Sequence, residues 1–158
     1  MQQSSFSAPV DDRWFEDYVA GAVYTFGPIE VDEAEIIAFA RKFDPQTMHV
    51  APEAAARGYF GGLIASGWHT AGLMMRLFVD HYLSAVASIA SPGIDELRWK
   101  APVRPGDSLW LRVSVLETRR SVSRPDRGMV VSLLESMNQR GEIVCVLRAM
   151  NLLLSRGP

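Results

Sequence analysis

The stretch Gly67-WHTAGLMMRLFVDHYLSAVAS-Ile89 decides the fold of this chain. Small or polar residues recur at every fourth position, at 72, 76, 80, 84 and 88, and nearly all the others are apolar. A helix on a protein surface has the opposite proportion, with one apolar stripe and a broad polar face. The pattern therefore predicts a long helix over 67–89 that other structure encloses on most of its circumference.

Segments of period two follow this helix. Pro92 and Gly93 break the helical pattern, and apolar residues then alternate in a strand near Leu97 and over 109–115, with strand patterns again in 129–137 and 143–154. Ahead of the helix, 22–29 has the composition of a first strand. One strand, helices and four antiparallel strands predict an α+β fold, a single hotdog domain whose antiparallel sheet wraps around a long central helix.

Two shorter helices are expected before the long one. Asp32 is a plausible N-cap, the apolar residues after it fall at helical spacing, and Pro45 ends that helix at or before Asp44. Pro52 then opens a short helical turn.

The bulk properties indicate one soluble domain. We expect residues 1–12, which are mostly small or polar, to form a flexible N-terminal tail, and residues 13–158 to form the domain. The net charge of −2 argues against nucleic acid as a partner, and no apolar run is long enough for a membrane span. The lone Cys145 fits the core of a cytoplasmic protein. A long open sheet edge would need cover, so we expect a homodimer or a higher homo-oligomer.

The candidate chemistry lies in FDPQTMH, residues 43–49. Asp44 and His49 are joined by a compact turn that can aim both side chains at one point, where they could hold a water between a carboxylate and an imidazole. Taken singly, an Asp before Pro is commonly a turn residue and an isolated His is more often structural. Gly67 lies at the predicted start of the long helix, where unpaired amides favour a developing negative charge, with Ser66 as N-cap.

At these residues the chain resembles the MaoC-like dehydratases, which include the R-specific enoyl-CoA hydratases, from about Asp17 to Leu154. The hydratase motif reads approximately G-D-x-N-P-L-H, followed by a segment like I-x-H-G. Asp44 and His49 stand at its acidic and imidazole positions, and Gly67 stands at its final glycine. LRWKAPVRPGD, residues 97–107, is also similar to the strand and turn after the family's helix.

The sequence departs from the hydratase motif at four positions. Phe43 replaces its first glycine, Gln46–Thr47 replaces Asn-Pro, and Ser66 replaces the second histidine. Ala51 stands where the family often has an acidic residue.

The resemblance implies an acyl-CoA hydratase/dehydratase, a lyase acting on an α,β-unsaturated thioester of coenzyme A or of an acyl-carrier protein. Asp44 and His49 would activate water, Gly67 N–H would polarise the thioester carbonyl, and Gln46 and Ser66 would support the site. No cofactor and no metal site is implied.

Two alternatives remain open from the sequence. A hotdog thioesterase would use a carboxylate on the long helix, where Asp80 is the available one. A non-catalytic subunit would bind the thioester without turnover. Met74, Met75 and Phe78 are candidates for an acyl tunnel, although core packing is the favoured role for them. Four cations are available for the phosphates of coenzyme A: Lys100, Arg104, Arg124 and Arg127.

Overall fold

The computed structural model describes residues 3–157, and Met1, Gln2 and Pro158 lie outside the described part. The described residues form four helices and five strands, together with two 3₁₀ turns near the beginning of the domain. In chain order these are β1 (Val23–Glu30), α1 (Glu33–Phe43), α2 (Thr47–Val50), α3 (Pro52–Ala56), α4 (Gly67–His81), β2 (Ser88–Trp99), β3 (Ser108–Arg120), β4 (Arg127–Met137) and β5 (Ile143–Leu154).

The five strands form one antiparallel sheet in the order β1-β3-β4-β5-β2. Helix α4 packs on this sheet through Leu73, Met74, Leu77 and Phe78, all of which belong to the buried core. Alternate residues of β3 and β5 supply the facing surface, as the period-two pattern predicts. The predicted α+β hotdog fold is confirmed.

The first two helices follow their sequence signals. The Asp32 side chain accepts a hydrogen bond from Glu35 N–H at 2.9 Å and caps α1. Helix α1 ends at Phe43, immediately before Asp44 and Pro45, because the residue before proline is pushed out of the helical conformation.

The central helix is shorter than the predicted 67–89. It ends at His81, where Arg13, which is distant in sequence, caps it: the guanidinium donates to His81 O and to the O of the C-cap residue Tyr82, each at 2.8 Å. Ser84 then accepts from the amides of Val86 and Ala87 and fixes a turn. Cationic groups favour helix C-termini, and here the cation comes from another part of the chain.

Strand β2 begins at Ser88 and includes Pro92 and Gly93, which the sequence pattern treats as a break before a strand near Leu97. The strand tolerates proline because it lies at the edge of the sheet and pairs only with β5. Its register with β5 shifts between Ala90 and Gly93, and this irregularity accommodates the residue that lacks an N–H.

Of the predicted flexible tail over 1–12, Met1 and Gln2 lie outside the described residues, and residues 3–12 make contacts with the domain. Ser4 N–H donates to Val23 O at 2.7 Å, and the Phe6 ring stacks on Tyr24 with centroids 4.0 Å apart. The Arg13 guanidinium lies 3.5 Å from the centre of the Phe6 ring. This segment therefore packs on β1 and on the end of α4.

Cys145 lies in the core of β5 and is fully buried. Burial raises the pKa of its thiol to about 11, in keeping with a packing role. Among residues 3–157, no helix is long and apolar enough to span a membrane.

Replacing Arg13 by alanine should lower the free energy of unfolding by about 3 kcal/mol, on the scale of a buried hydrogen bond from a charged group. The change leaves the His81 carbonyl without this donor at the end of α4. Urea denaturation followed by circular dichroism measures the effect. Arg124→Ala, at an exposed position in the turn between β3 and β4, is the control. Equal stability of the two variants would contradict the capping role.

Candidate functional site

Two donors hold the carboxylate of Asp44, which terminates α1. Gln46 Nε2 donates to its Oδ1 and Ser66 Oγ donates to its Oδ2, both at 2.7 Å. These hydrogen bonds, that from Gln46 first, hold the pKa of Asp44 below its ordinary value. The carboxylate is therefore fixed in position and stays ionised to lower pH than a free aspartate.

The His49 imidazole is oriented by a backbone carbonyl. His49 Nδ1 lies 2.8 Å from Ile64 O, and because a carbonyl can only accept, Nδ1 carries a hydrogen. In the neutral ring Nε2 is then a bare acceptor, and it lies 3.5 Å from Asp44 Oδ2. Two acceptors thus face one another, an arrangement that a proton-bearing molecule can bridge.

Helix α4 begins beside this pair. Ser66 is the N-cap, as predicted: its hydroxyl accepts from Trp68 N–H at 3.3 Å while donating to Asp44. Gly67 is the first residue of the helix, and within residues 3–157 its N–H has no hydrogen-bond acceptor. Trp99 Nε1 donates to Gly67 O at 2.8 Å. The first N–H groups of a helix have no acceptor within the helix, and they stabilise negative charge placed near them.

The glycine at position 67 is required by packing. A Cβ there would collide with the indole ring of Trp99. The helix N-terminus and the strand end that carries Trp99 consequently approach more closely than any residue with a side chain would allow.

A cavity of about 260 Å³ joins these elements. His49 and Gly67 both line it, and its other walls come from the segments 60–65 and 99–103 and from Thr70. Most of these residues are apolar, so the imidazole and the first residue of α4 border a largely apolar space. The cavity can accept a small apolar group next to one base and one anion-stabilising donor.

The structure brings together all five of the predicted site residues: Asp44, Gln46, His49, Ser66 and Gly67. The candidate acyl tunnel finds no support, because Met74 and Phe78 are core residues, Met75 is exposed, and none of them lines this cavity. In the described part of the chain no group of three or more His, Cys, Asp or Glu residues is placed to hold a metal ion.

Two partners in the site escaped the sequence reasoning. The Ile64 carbonyl that orients His49 is a backbone group, which leaves no signal in the residue type. Trp99, which packs on Gly67, lies within the 97–107 motif. The similarity of that motif to the family was the sequence signal that could have identified Trp99.

The family model described as a MaoC like domain matches residues 16–136, more than half of the chain. The chain belongs to the MaoC-like dehydratase family.

Solved structures of this family share the fold. The MaoC-like dehydratase from Rhodospirillum rubrum superposes with a TM-score of 0.84 at 42% identity, covering 92% of this chain and 99% of that chain. The R-hydratase PhaJ1 from Pseudomonas aeruginosa, in its unliganded form, superposes with a TM-score of 0.75 at 23% identity, covering 90% and 86%. At that lower identity the likeness concerns the fold alone.

Two curated relatives are each 32% identical to this chain over the matched residues. The uncharacterized protein YdeM of Bacillus subtilis is 32% identical over 125 residues, which is 79% of this chain and 87% of YdeM. The 3-hydroxybutyryl-CoA dehydratase of Methylorubrum extorquens is 32% identical over 111 residues, which is 66% of this chain and 64% of that protein. Dehydration and hydration of acyl thioesters are thus the general chemistry of the family.

Removing either donor to Asp44 should raise the pKa of its carboxyl group. We expect a rise in Gln46→Ala and in Ser66→Ala, because each variant loses a hydrogen bond that favours the ionised form. Titration of the Asp44 carboxyl carbon by NMR measures the change. Thr47→Ala, at the exposed first residue of α2, is the control and should titrate like the wild-type protein. Unchanged titration in both donor variants would refute the assignment.

Proposed function

We propose that this protein is an acyl-CoA hydratase/dehydratase, which adds water to an α,β-unsaturated acyl thioester or removes it in the reverse direction. The observation that carries the proposal is the pair of acceptors 3.5 Å apart, Asp44 Oδ2 and His49 Nε2, beside the amide that begins α4. A carboxylate and an imidazole at this distance can each accept one proton of the same water.

In hydration, the water oxygen bonds to C3 of the thioester as the Asp44–His49 pair takes one proton from it. The π electrons of the C2–C3 bond move toward the carbonyl, which becomes an enolate oxygen, and C2 then receives a proton from the pair. Water is thereby consumed in full, with OH on C3 and H on C2. Dehydration retraces these steps.

Gly67 N–H supplies the place for the developing negative charge. It is the first amide of a 15-residue helix and lines the same cavity as His49. A donor that is fixed before the reaction stabilises an oxyanion without reorganising, an effect of about 3–4 kcal/mol for a single donor in other enzymes. Ser66 and Gln46 act one step away, by holding Asp44 ionised and in place.

The substrate class follows from the family. The Methylorubrum relative is named for a 3-hydroxybutyryl-CoA substrate, and a Mycobacterium tuberculosis relative is named 3-hydroxyacyl-thioester dehydratase Z. A short acyl thioester of coenzyme A or of an acyl-carrier protein also suits the small apolar cavity. The proposed acid, base and oxyanion donor all come from this chain, so the reaction calls for no cofactor. A cytoplasmic location stays a prediction.

The thioesterase alternative depends on Asp80, and its surroundings do not favour it. Asp80 lies near the far end of α4, where its Oδ2 accepts from Arg76 Nε at 2.7 Å on the exposed face of the helix. It does not line the cavity that holds His49 and Gly67. A measurement of turnover distinguishes a non-catalytic binding role from the proposed catalysis.

Asp44→Asn and His49→Ala should each lower turnover of trans-2-enoyl-CoA substrates by at least about 100-fold, the contribution of a positioned general acid or base. Loss of the enoyl absorbance measures hydration across a panel of short and medium chains with mesaconyl-CoA. Asp80→Asn is the matched control and should retain wild-type turnover. Wild-type activity in both site variants would end the proposal.

The same reactions separate the alternatives. Release of free coenzyme A thiol without hydration would indicate a thioesterase. Tight binding of the substrates, with neither hydration nor thiol release, would indicate a binding subunit, and Asp44→Asn would then bind with nearly wild-type affinity.

We also infer that two copies of the chain pair through β2 and the exposed face of α4. Trp68, Met75 and Val79 expose 58%, 49% and 47% of their surface along one side of this helix. Trp68 contacts Trp99 on β2 with ring centroids 5.2 Å apart, so the apolar surface runs on to the open edge of the sheet. A long free edge and a contiguous apolar patch are features that proteins cover by association.

Light scattering at micromolar concentration should therefore give twice the mass of the chain. Val79→Glu should shift the protein toward the single-chain mass, because it buries a charge in the proposed interface. Val122→Glu, the same change at a fully exposed position between β3 and β4, should leave the mass unchanged. A wild-type monomer would overturn the inference.

A further inference from the structure

Lys100 is a cation on the wall of the cavity that holds the candidate site. It lines this cavity together with His49 and Gly67, and it is solvent-exposed. Its backbone is fixed by a hydrogen bond from Lys100 N–H to Val144 O at 2.8 Å. The preceding residue, Trp99, is fixed to the first residue of α4. The backbone that carries the lysine is therefore held in place at the wall of the cavity.

The other cations that the sequence offered for this role are placed differently. Arg104 Nη2 donates to Phe60 O at 2.6 Å and so tethers a loop. Arg127 is paired with Asp126. Arg124 lies in the turn between β3 and β4 and is not among the residues that line the cavity. Within residues 3–157, the Lys100 ammonium group has no hydrogen-bond or ion-pair partner, so its charge is free for a ligand.

The surroundings of Lys100 favour an anion. Of the described residues that line the cavity, none is an aspartate or a glutamate. The first residue of α4 also lines this cavity, and a helix N-terminus carries partial positive charge. A lysine and a helix N-terminus on one largely apolar cavity both attract negative charge. The Asp44 carboxylate of the candidate site lies 3.5 Å from His49 Nε2 and is not among the residues that line the cavity.

We propose that Lys100 binds an anionic group carried by the acyl thioester substrate. This inference rests on the proposed function and assigns one substrate contact within it. Two parts of such a substrate carry suitable oxygens: the phosphates of coenzyme A beyond its pantetheine arm, and a carboxylate at the far end of a dicarboxylic acyl group. The lysine ammonium recognises either one as a point charge.

Calorimetric titration with unreactive saturated thioesters tests this contact without any turnover. The three probes are butyryl-CoA, S-butyrylpantetheine, which lacks every phosphate, and glutaryl-CoA, which adds an acyl carboxylate. Lys100→Met removes the charge and keeps the length of the side chain. We expect it to weaken the binding of at least one anionic probe about tenfold, as for loss of one charge-assisted hydrogen bond.

The probes distinguish the two sources of the anion. Weaker binding of butyryl-CoA with unchanged binding of S-butyrylpantetheine would assign the contact to a phosphate. A loss seen with glutaryl-CoA and not with butyryl-CoA would assign it to the acyl carboxylate. In either case, added salt should weaken binding to the wild-type protein more than binding to the variant.

Two further variants control the experiment. Arg124→Met changes the net charge equally at a distance from the cavity and should bind all three probes like the wild-type protein. Lys100→Arg keeps the charge and should retain most of the affinity. Equal dissociation constants for wild type and Lys100→Met with every probe would overturn the proposal, as would failure of the wild-type protein to bind any of them.

Hydration of crotonyl-CoA, measured in parallel, keeps the two proposals apart. If the wild-type protein binds the probes through Lys100 and hydrates nothing, the contact stands and the proposed function fails. If it hydrates crotonyl-CoA and the Lys100→Met variant shows the same KM and the same affinities, the function stands and the contact fails.

Discussion

The candidate site depends on the two hydrogen bonds that the Ser66 hydroxyl group makes. It is fully buried, it accepts from the amide of Trp68 to start α4, and it donates to the carboxylate of Asp44 at the end of α1. One oxygen therefore fixes the relative position of two helix ends. The acid of the proposed catalytic pair and the amide of Gly67, which would receive charge, are placed by the same contact.

This arrangement also gives a physical meaning to one departure from the hydratase motif. Where the family pattern has a histidine before the final glycine, this chain has Ser66. A serine at that position can cap the helix and hydrogen-bond the carboxylate at once, which compensates for part of what the motif loses. Gln46, which replaces the asparagine, supplies the second hydrogen bond to Asp44. Ser66 and Gln46 together hold the carboxylate of this chain through two hydrogen bonds.

Local signals carried most of the prediction. The Asp32 cap, the stop at Pro45 and the period-two strands depend on residues close together in sequence, and the structure follows them. The proximity of Asp44 and His49 was also predictable, because a short turn joins them. The meeting of these residues with Ser66 and Gly67 rested on the family resemblance, since no local pattern shows that two helix ends converge.

The features that the sequence did not predict depend mainly on contacts between distant parts of the chain. Arg13, from the N-terminal segment, donates to the carbonyls of His81 and Tyr82 at the end of α4. No residue near His81 in the sequence indicates this contact. Pro92 predicts the absence of a strand, but β2 lies at the edge of the sheet, where a proline is tolerated. The Ile64 carbonyl that selects the His49 tautomer is invisible at the level of residue type.

The single cysteine has a practical consequence. Cys145 is sealed in the core with a raised thiol pKa, so the folded protein presents no reactive sulfur of its own. Thiol reagents added to the native protein would report coenzyme A alone. A cysteine introduced at the surface would likewise be the only labelling position for a fluorophore or a spin label, and the wild-type chain would need no prior removal of cysteine.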